Sequence, residues 1–79
     1  MVDRLFEKKV IGVKQSIKFL KEGKGKSLYL AKDAKEEIIN PLKSLAKNQK
    51  IDIEYVDTMK ELGKICGIEV KAAAALLLK

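Results

Sequence analysis

The apolar positions along the chain switch between helix-like and strand-like spacing. Val13, Ile17 and Leu20 recur at i, i+4 and i+7, which lines one side of an α-helix and predicts a helix over 13–22. Lys14, Lys18 and Lys21 recur at the same spacing on another side, so this helix carries an apolar stripe and a basic stripe. Gly23 is placed to end it, because glycine enters the left-handed region cheaply. Gly23-Lys24-Gly25-Lys26 then reads as a turn, and Ser27-Leu28-Tyr29-Leu30-Ala31 as a short buried strand. Lys32, Asp33 and Ala34 form the loop that leaves it. Helical spacing returns over 35–49, with Ile38, Ile39, Leu42, Leu45 and Ala46 on one side. Pro41 interrupts that stretch. It lacks the N–H that would bond back to Glu37, so a kink or a loose first turn is expected.

Ile51-Asp52-Ile53-Glu54-Tyr55-Val56 alternates and is rich in β-branched residues, which predicts a strand. Asp57 or Thr58 caps the next helix, and Glu61 stands three residues after Thr58, as in a capping box. Met59, Leu62, Ile65 and Cys66 are its inward residues, and Gly67 ends it. A loop over 68–71 leads to a last strand over 72–78. At the other end, 2–9 reads as a short helix capped by Asp3, followed by the apolar step Val10-Ile11 before Gly12. Alternating helices and strands point to an α/β fold, with helices on both faces of a small sheet.

At 79 residues the chain is expected to form a single domain, 1–79, with a small core and a thin stability margin. Its 17 basic residues outnumber 11 acidic ones, giving a net charge of +6, and Arg4 is the sole arginine. That surplus favours a polyanionic partner, although a basic surface also serves solubility. The chain has no histidine and one cysteine, Cys66. An internal disulfide and a cysteine-based zinc site are therefore excluded, and so are the common nucleophile–histidine pairs. A lone thiol suits a reducing cytoplasm, and no apolar run reaches membrane-spanning length.

Catalytic chemistry finds little support. The acids Glu36, Glu37, Asp57 and Glu61 read as caps and helix-surface residues, with no two placed in a shared cleft. Cys66 lies on the apolar side of its helix and reads as a buried structural thiol. Gly23-Lys24-Gly25-Lys26 lacks the spacing of a phosphate-binding loop and precedes a strand, where such a loop precedes a helix. The chain is expected to be no enzyme and to need no cofactor or metal.

Two stretches invite a binding role. In Gly12-Val13-Lys14-Gln15 a helix start offers free N–H groups and positive potential to a phosphate. Lys14 and Lys18 add charge, Gln15 carries both a donor and an acceptor for a base edge, and Gly12 permits close approach. Taken alone, the stretch reads as well, or better, as a glycine break before a solvated helix. In Leu62-Gly63-Lys64-Ile65-Cys66-Gly67-Ile68-Glu69-Val70-Lys71, a loop between helix and strand is unusually apolar. Ile68 and Val70 either tuck into the core or cover an unstacked base.

These two stretches, with their order, their spacing and the alanine-rich strand that follows, resemble the kink-turn-binding superfamily of ribosomal and ribonucleoprotein proteins, the "L-seven-Ae" type. The likeness runs from about Phe6 to Leu78 and is greatest to the short bacterial branch. It implies a three-layer α/β/α sandwich around a small mixed sheet. It also implies recognition of the kink-turn, a sharply bent RNA with tandem sheared G·A pairs and a flipped-out nucleotide. By position, Gly12, Lys14, Gln15 and Lys18 inherit the contact with the G·A pairs. Ile68, Glu69 and Val70 inherit the cover over the extruded nucleotide, and Lys71 extends that edge. Archaeal and eukaryotic members usually show Asn-Glu where this chain has Lys14-Gln15, the pair of the bacterial branch. Lys32 stands near the place where relatives often carry an acid that touches the flipped nucleotide, and a phosphate contact is expected of it here.

The resulting expectation is a monomeric, cytoplasmic, ribosome-associated protein whose partner is a kink-turn in ribosomal or structured regulatory RNA. The alternative is a protein-interaction subunit of a ribonucleoprotein with only general RNA affinity. An RNA-cleaving enzyme is disfavoured by the lack of histidine and of an acidic metal cluster.

Overall fold

The computed structural model describes residues 8–79. Its elements follow in the order β1 (Lys9–Ile11), α1 (Val13–Lys21), β2 (Gly25–Ala31), α2 (Glu36–Asn48), β3 (Asp52–Val56), α3 (Met59–Ile65) and β4 (Ala74–Leu78). The four strands form one mixed sheet in the order β1-β4-β2-β3. β4 runs antiparallel to both β1 and β2, while β2 and β3 are parallel and joined through α2.

Helices cover both faces of the sheet, which makes it the middle layer of an α/β/α sandwich. α1 and α2 pack together, and a methyl group at Gly25 would meet Leu20 of α1 and Leu76 of β4, so their face is the one bearing Leu76. In register with Leu76 are Val10 and Leu28, and Leu28 in turn faces Ile53. α3 packs on the other face against β2, β3 and β4. With both faces covered, Leu28, Leu30, Ala74, Ala75 and Leu76 are all fully buried, and β4 is apolar along its whole length.

Several boundaries differ from those the pattern predicts. The helix expected over 2–9 lies outside the described residues up to position 7, and Lys9 already belongs to strand β1. Three residues are too few to display alternation, and β1 exists because it pairs with Leu76 and its neighbours on β4. Helix α2 runs unbroken past Pro41, and both Pro41 and Glu37, whose carbonyl the proline leaves without an N–H, are exposed residues. Ile38, expected on the inward side of α2, is 42% exposed. On α1 the fully buried positions are Ser16 and Leu20, with Ile17 only half-buried. The Ser16 hydroxyl has no hydrogen-bond partner among the described residues.

All three helices stop in the same way. After α1, the N–H groups of Gly23 and Lys24 bond the carbonyls of Leu20 and Phe19 at 3.0 Å each. After α3, Gly67 and Ile68 repeat the arrangement on Lys64 and Gly63, and after α2, Lys50 and Ile51 repeat it on Lys47 and Ala46. This paired closure needs a left-handed residue just past the helix. Gly23 and Gly67 fill that position at φ 72° and 80°, and Lys50 fills it at φ 56°.

Candidate nucleic-acid interface

Strand directions decide which junctions become neighbours. β2 ends, and β4 begins, at the same edge of the sheet, because Leu30 lies opposite Ala74. Gly12 donates its N–H to the Ala74 carbonyl at 2.8 Å, which brings the start of α1 to that edge. The Lys32 N–H bonds the Val56 carbonyl at 2.8 Å, and the Ala72 N–H bonds the Met59 carbonyl at 3.0 Å. The β1–α1, β2–α2, β3–α3 and α3–β4 junctions thus meet at one pole. Every residue singled out for binding in the sequence lies on or beside them: Gly12, Lys14, Gln15 and Lys18 on one side, Lys32 between, and Ile68, Glu69, Val70 and Lys71 on the other.

The start of α1 is chemically open. Among the described residues no side chain caps it, no acid stands in its first turn, and Lys14, Gln15 and Lys18 are exposed. Gly12 sits at φ 103°, where a side chain would be strained, so the break before the helix is real. Among the described residues, and apart from its chain neighbours, no atom lies within 4 Å of where its β-carbon would be, which leaves room for a ligand backbone as well. The other two helix starts are guarded. α2 carries Glu36 and Glu37 in its first turn. In α3 the Thr58 hydroxyl accepts the Glu61 N–H at 3.0 Å, and the Asp33 carboxylate accepts the Met59 N–H at 2.8 Å. Among the described residues, positive potential with uncapped N–H groups is therefore concentrated at α1.

The α3–β4 loop divides the two fates open to its apolar residues. Ile68 is half-buried against the edge of the core, whereas Val70 is 68% exposed. With Glu69 and Lys71 they border an open recess of about 800 Å³, whose other wall is Lys60 and Lys64 of α3. An apolar floor ringed by lysines suits a flat aromatic group attached to phosphate. Lys32 does not stand alone at this pole: its ammonium lies 3.4 Å from the Asp57 carboxylate. Both groups are well exposed, so the pair contributes little and a phosphate can displace the carboxylate.

Sequence reasoning did not assign a role to Lys60, Lys64 or Gly63. The two lysines recur at i, i+4 away from the buried Leu62, a signal that was available. Gly63 is a glycine inside a helix that it neither starts nor ends, which marks close backbone approach. A methyl group there would overlap the Val70 carbonyl oxygen and come within 3.5 Å of the Lys71 α-carbon. Only glycine lets the loop lie directly on α3. Cys66, at the end of the same helix, is buried, and that burial pushes its thiol up while Lys9 offsets part of the effect. It behaves as a packing residue. Among the described residues no cluster of acids or cysteines is arranged to hold a metal ion, and no helix is long and apolar enough to cross a membrane.

Comparison with known proteins bears on the family and the fold. An RNA-binding protein of Caldanaerobacter subterraneus is 43% identical over 75 residues, covering 95% of this chain and 92% of its own. The RNA-binding protein YbxF of Geobacillus stearothermophilus is 43% identical over 70 residues, covering 89% of this chain and 85% of its own. Among solved structures, a Giardia lamblia 15.5kD RNA binding protein superposes with a TM-score of 0.84 at 22% identity, over 91% of this chain and 61% of that one. That last likeness speaks to the fold alone. The profile of the ribosomal protein L7Ae/L30e/S12e/Gadd45 family matches residues 6–79, and with relatives this similar across nearly its whole length, the chain belongs to that family.

Proposed function

We propose that this protein binds RNA at the pole described above, and that its target is a kink-turn. One observation carries the reading. The uncapped, lysine-flanked start of α1 and the recess beside Val70 are held at one edge of the sheet, where a single bent RNA could meet both. Relatives named as RNA-binding proteins at 43% identity support the RNA partner. In this reading Gly12 and the α1 N–H groups approach the RNA backbone, and Gln15 reads a base edge at the sheared G·A pairs. Lys14, Lys18, Lys60, Lys64 and Lys71 hold phosphates. Ile68 and Val70 cover an extruded base, beside Glu69. Lys32 exchanges Asp57 for a phosphate.

The mechanism needs no bond-making chemistry. A kink-turn crowds phosphates, so the free RNA populates the bent form poorly without added cations. A surface that binds the bent form better shifts the population towards it by its differential affinity alone. Base-edge contacts supply selectivity over plain duplex, and lysine–phosphate contacts supply salt-sensitive affinity. A cytoplasmic, monomeric protein associated with the ribosome fits this role.

Substitution of Gln15 separates the interface from the fold. Gln15 is exposed on the first turn of α1. Gln15→Ala is expected to leave the melting temperature nearly unchanged, because surface substitutions shift stability by about 0.5 kcal/mol or less. It is expected to weaken kink-turn binding by about 1–3 kcal/mol, the worth of a good base-edge contact. Calorimetric titration beside thermal unfolding reads both quantities. Wild-type affinity in the variant removes the base-reading role.

A further inference from the structure

The opposite pole of the sheet is basic as well. Lys79 at the end of the chain donates its N–H to the Lys24 carbonyl at 3.0 Å, which brings the two ends of the sheet edge together. The Gln49 amide donates to the Leu20 carbonyl, so the ends of α1 and α2 are tied to the same place. The concave surface between them measures about 560 Å³ and is bordered by Gly23, Gly25, Lys26, Gln49, Lys50 and Lys79. Lys21, Lys24 and Lys47 stand beside it, exposed, on the last turns of the same helices and the turn after α1. Among the described residues the acids at this end are Glu22, which pairs with Lys24 at 3.0 Å, and Asp52, fewer than the lysines around them. From Gly25 to Ala31 is six strand steps, which puts this surface roughly 20 Å from the pole described above.

One residue marks this surface as more than a scatter of surface lysines. Lys50 holds the left-handed closing position that glycine holds after α1 and α3. A lysine there is conformationally strained, and a glycine would fill the position without that strain. The strained backbone sets a cation at the border of the concavity, between Gln49 and Asp52. Strain retained at a charged surface position points from geometry towards a ligand.

We propose that this second pole is a phosphate-backbone contact for another duplex segment of RNA, so that one molecule of this protein bridges two segments. The proposal rests on the RNA-binding reading for the choice of RNA, and on Lys50, Lys26 and the concavity for the place. With no assigned base-reading group among its lining cations, the contact is indifferent to sequence and steeply dependent on salt.

The test separates the two poles. Protein saturated with a minimal kink-turn RNA is titrated with a labelled plain RNA duplex, and amide chemical shifts are followed by NMR. The expected result is a ternary complex with shifts at Gly23, Gly25, Lys50, Ile51 and Asp52. Lys50→Gly is expected to raise the melting temperature while weakening duplex binding and lowering its salt slope by about 1, an outcome that partial unfolding cannot produce. Lys26→Gln with Lys50→Gly is expected to lower the slope by about 2. A kink-turn complex that takes up no duplex overturns the second contact. So does a ternary complex that Lys50→Gly leaves unchanged in affinity and salt slope. Shifts produced by anionic phospholipid vesicles but not by duplex overturn RNA as the occupant. Where the kink-turn itself fails to bind, the primary reading has failed, and the same duplex titration on free protein decides the second: shifts at these five amides support it, and their absence overturns it.

Discussion

Gly63→Ala is expected to weaken RNA binding tenfold or more while the protein remains folded. The added methyl group would overlap the Val70 carbonyl, a backbone atom that cannot swing aside as a side-chain tip can. Overpacking of this kind costs about 1–3 kcal/mol, and the helix preference of alanine over glycine returns about 1 kcal/mol of it. The α3–β4 loop is the easier partner to move, because 67–71 is mostly exposed and α3 is fixed on the sheet. Relief therefore comes by lifting Ile68 and Val70 away from the wall formed by Lys60 and Lys64. About 1.4 kcal/mol of lost contact corresponds to the tenfold loss. Val70→Ala, which trims one exposed side chain without moving the loop, is expected to cost less. Binding isotherms for the two variants, with NMR shifts at positions 68–71, check the order. A Gly63→Ala protein that binds normally would mean that the loop's seat on α3 is unimportant to the interface.

Leu20→Ala is expected to be among the most damaging single changes to the fold. Leu20 is fully buried and lies against the sheet near Leu76, beside the point where Gly25 begins β2. Truncating a buried leucine costs about 2–5 kcal/mol through lost transfer energy and the cavity left behind. Domains of this size have about 4–12 kcal/mol in all. Urea unfolding should show the midpoint falling with little change in slope. Ile17→Ala, three residues earlier, should cost less, because Ile17 is half-buried whereas the spacing alone made it equal to Leu20. Equal losses for the two would contradict the packing described here.

Much of this architecture is legible in the chain. Spacing of Val13, Ile17 and Leu20 places α1 to within a residue, alternation around Ile53 and Val56 places β3, and Thr58 with Glu61 marks the start of α3. The failures have a common cause, since each depends on a partner distant in sequence. β1 is a strand only by pairing with β4. Residues 72 and 73 fall outside β4 because the Ala72 N–H turns to the Met59 carbonyl. Ser16 is buried and Ile38 exposed because α1 and α2 lean on each other as well as on the sheet. The left-handed Lys50 carries no signal of its own, since glycine or asparagine is what such a position ordinarily announces.

The candidate site divides in the same way. The two stretches around Gln15 and Val70 stand out by residue type, and the roles proposed for them come from family resemblance. That they adjoin comes from the antiparallel run of β4 beside β1 and β2, which returns the α3–β4 loop to the start of α1. Gly63 supplies the local fit and shows why the loop keeps its place.

The most direct test is a titration of the protein with a kink-turn RNA and with the same RNA carrying Watson–Crick pairs in place of the sheared G·A pairs, at moderate salt. Tight binding to the first and weak binding to the second is the predicted result, with the difference shrinking in Gln15→Ala. Equal affinity for the two RNAs would contradict kink-turn recognition and leave a basic domain with general affinity for RNA.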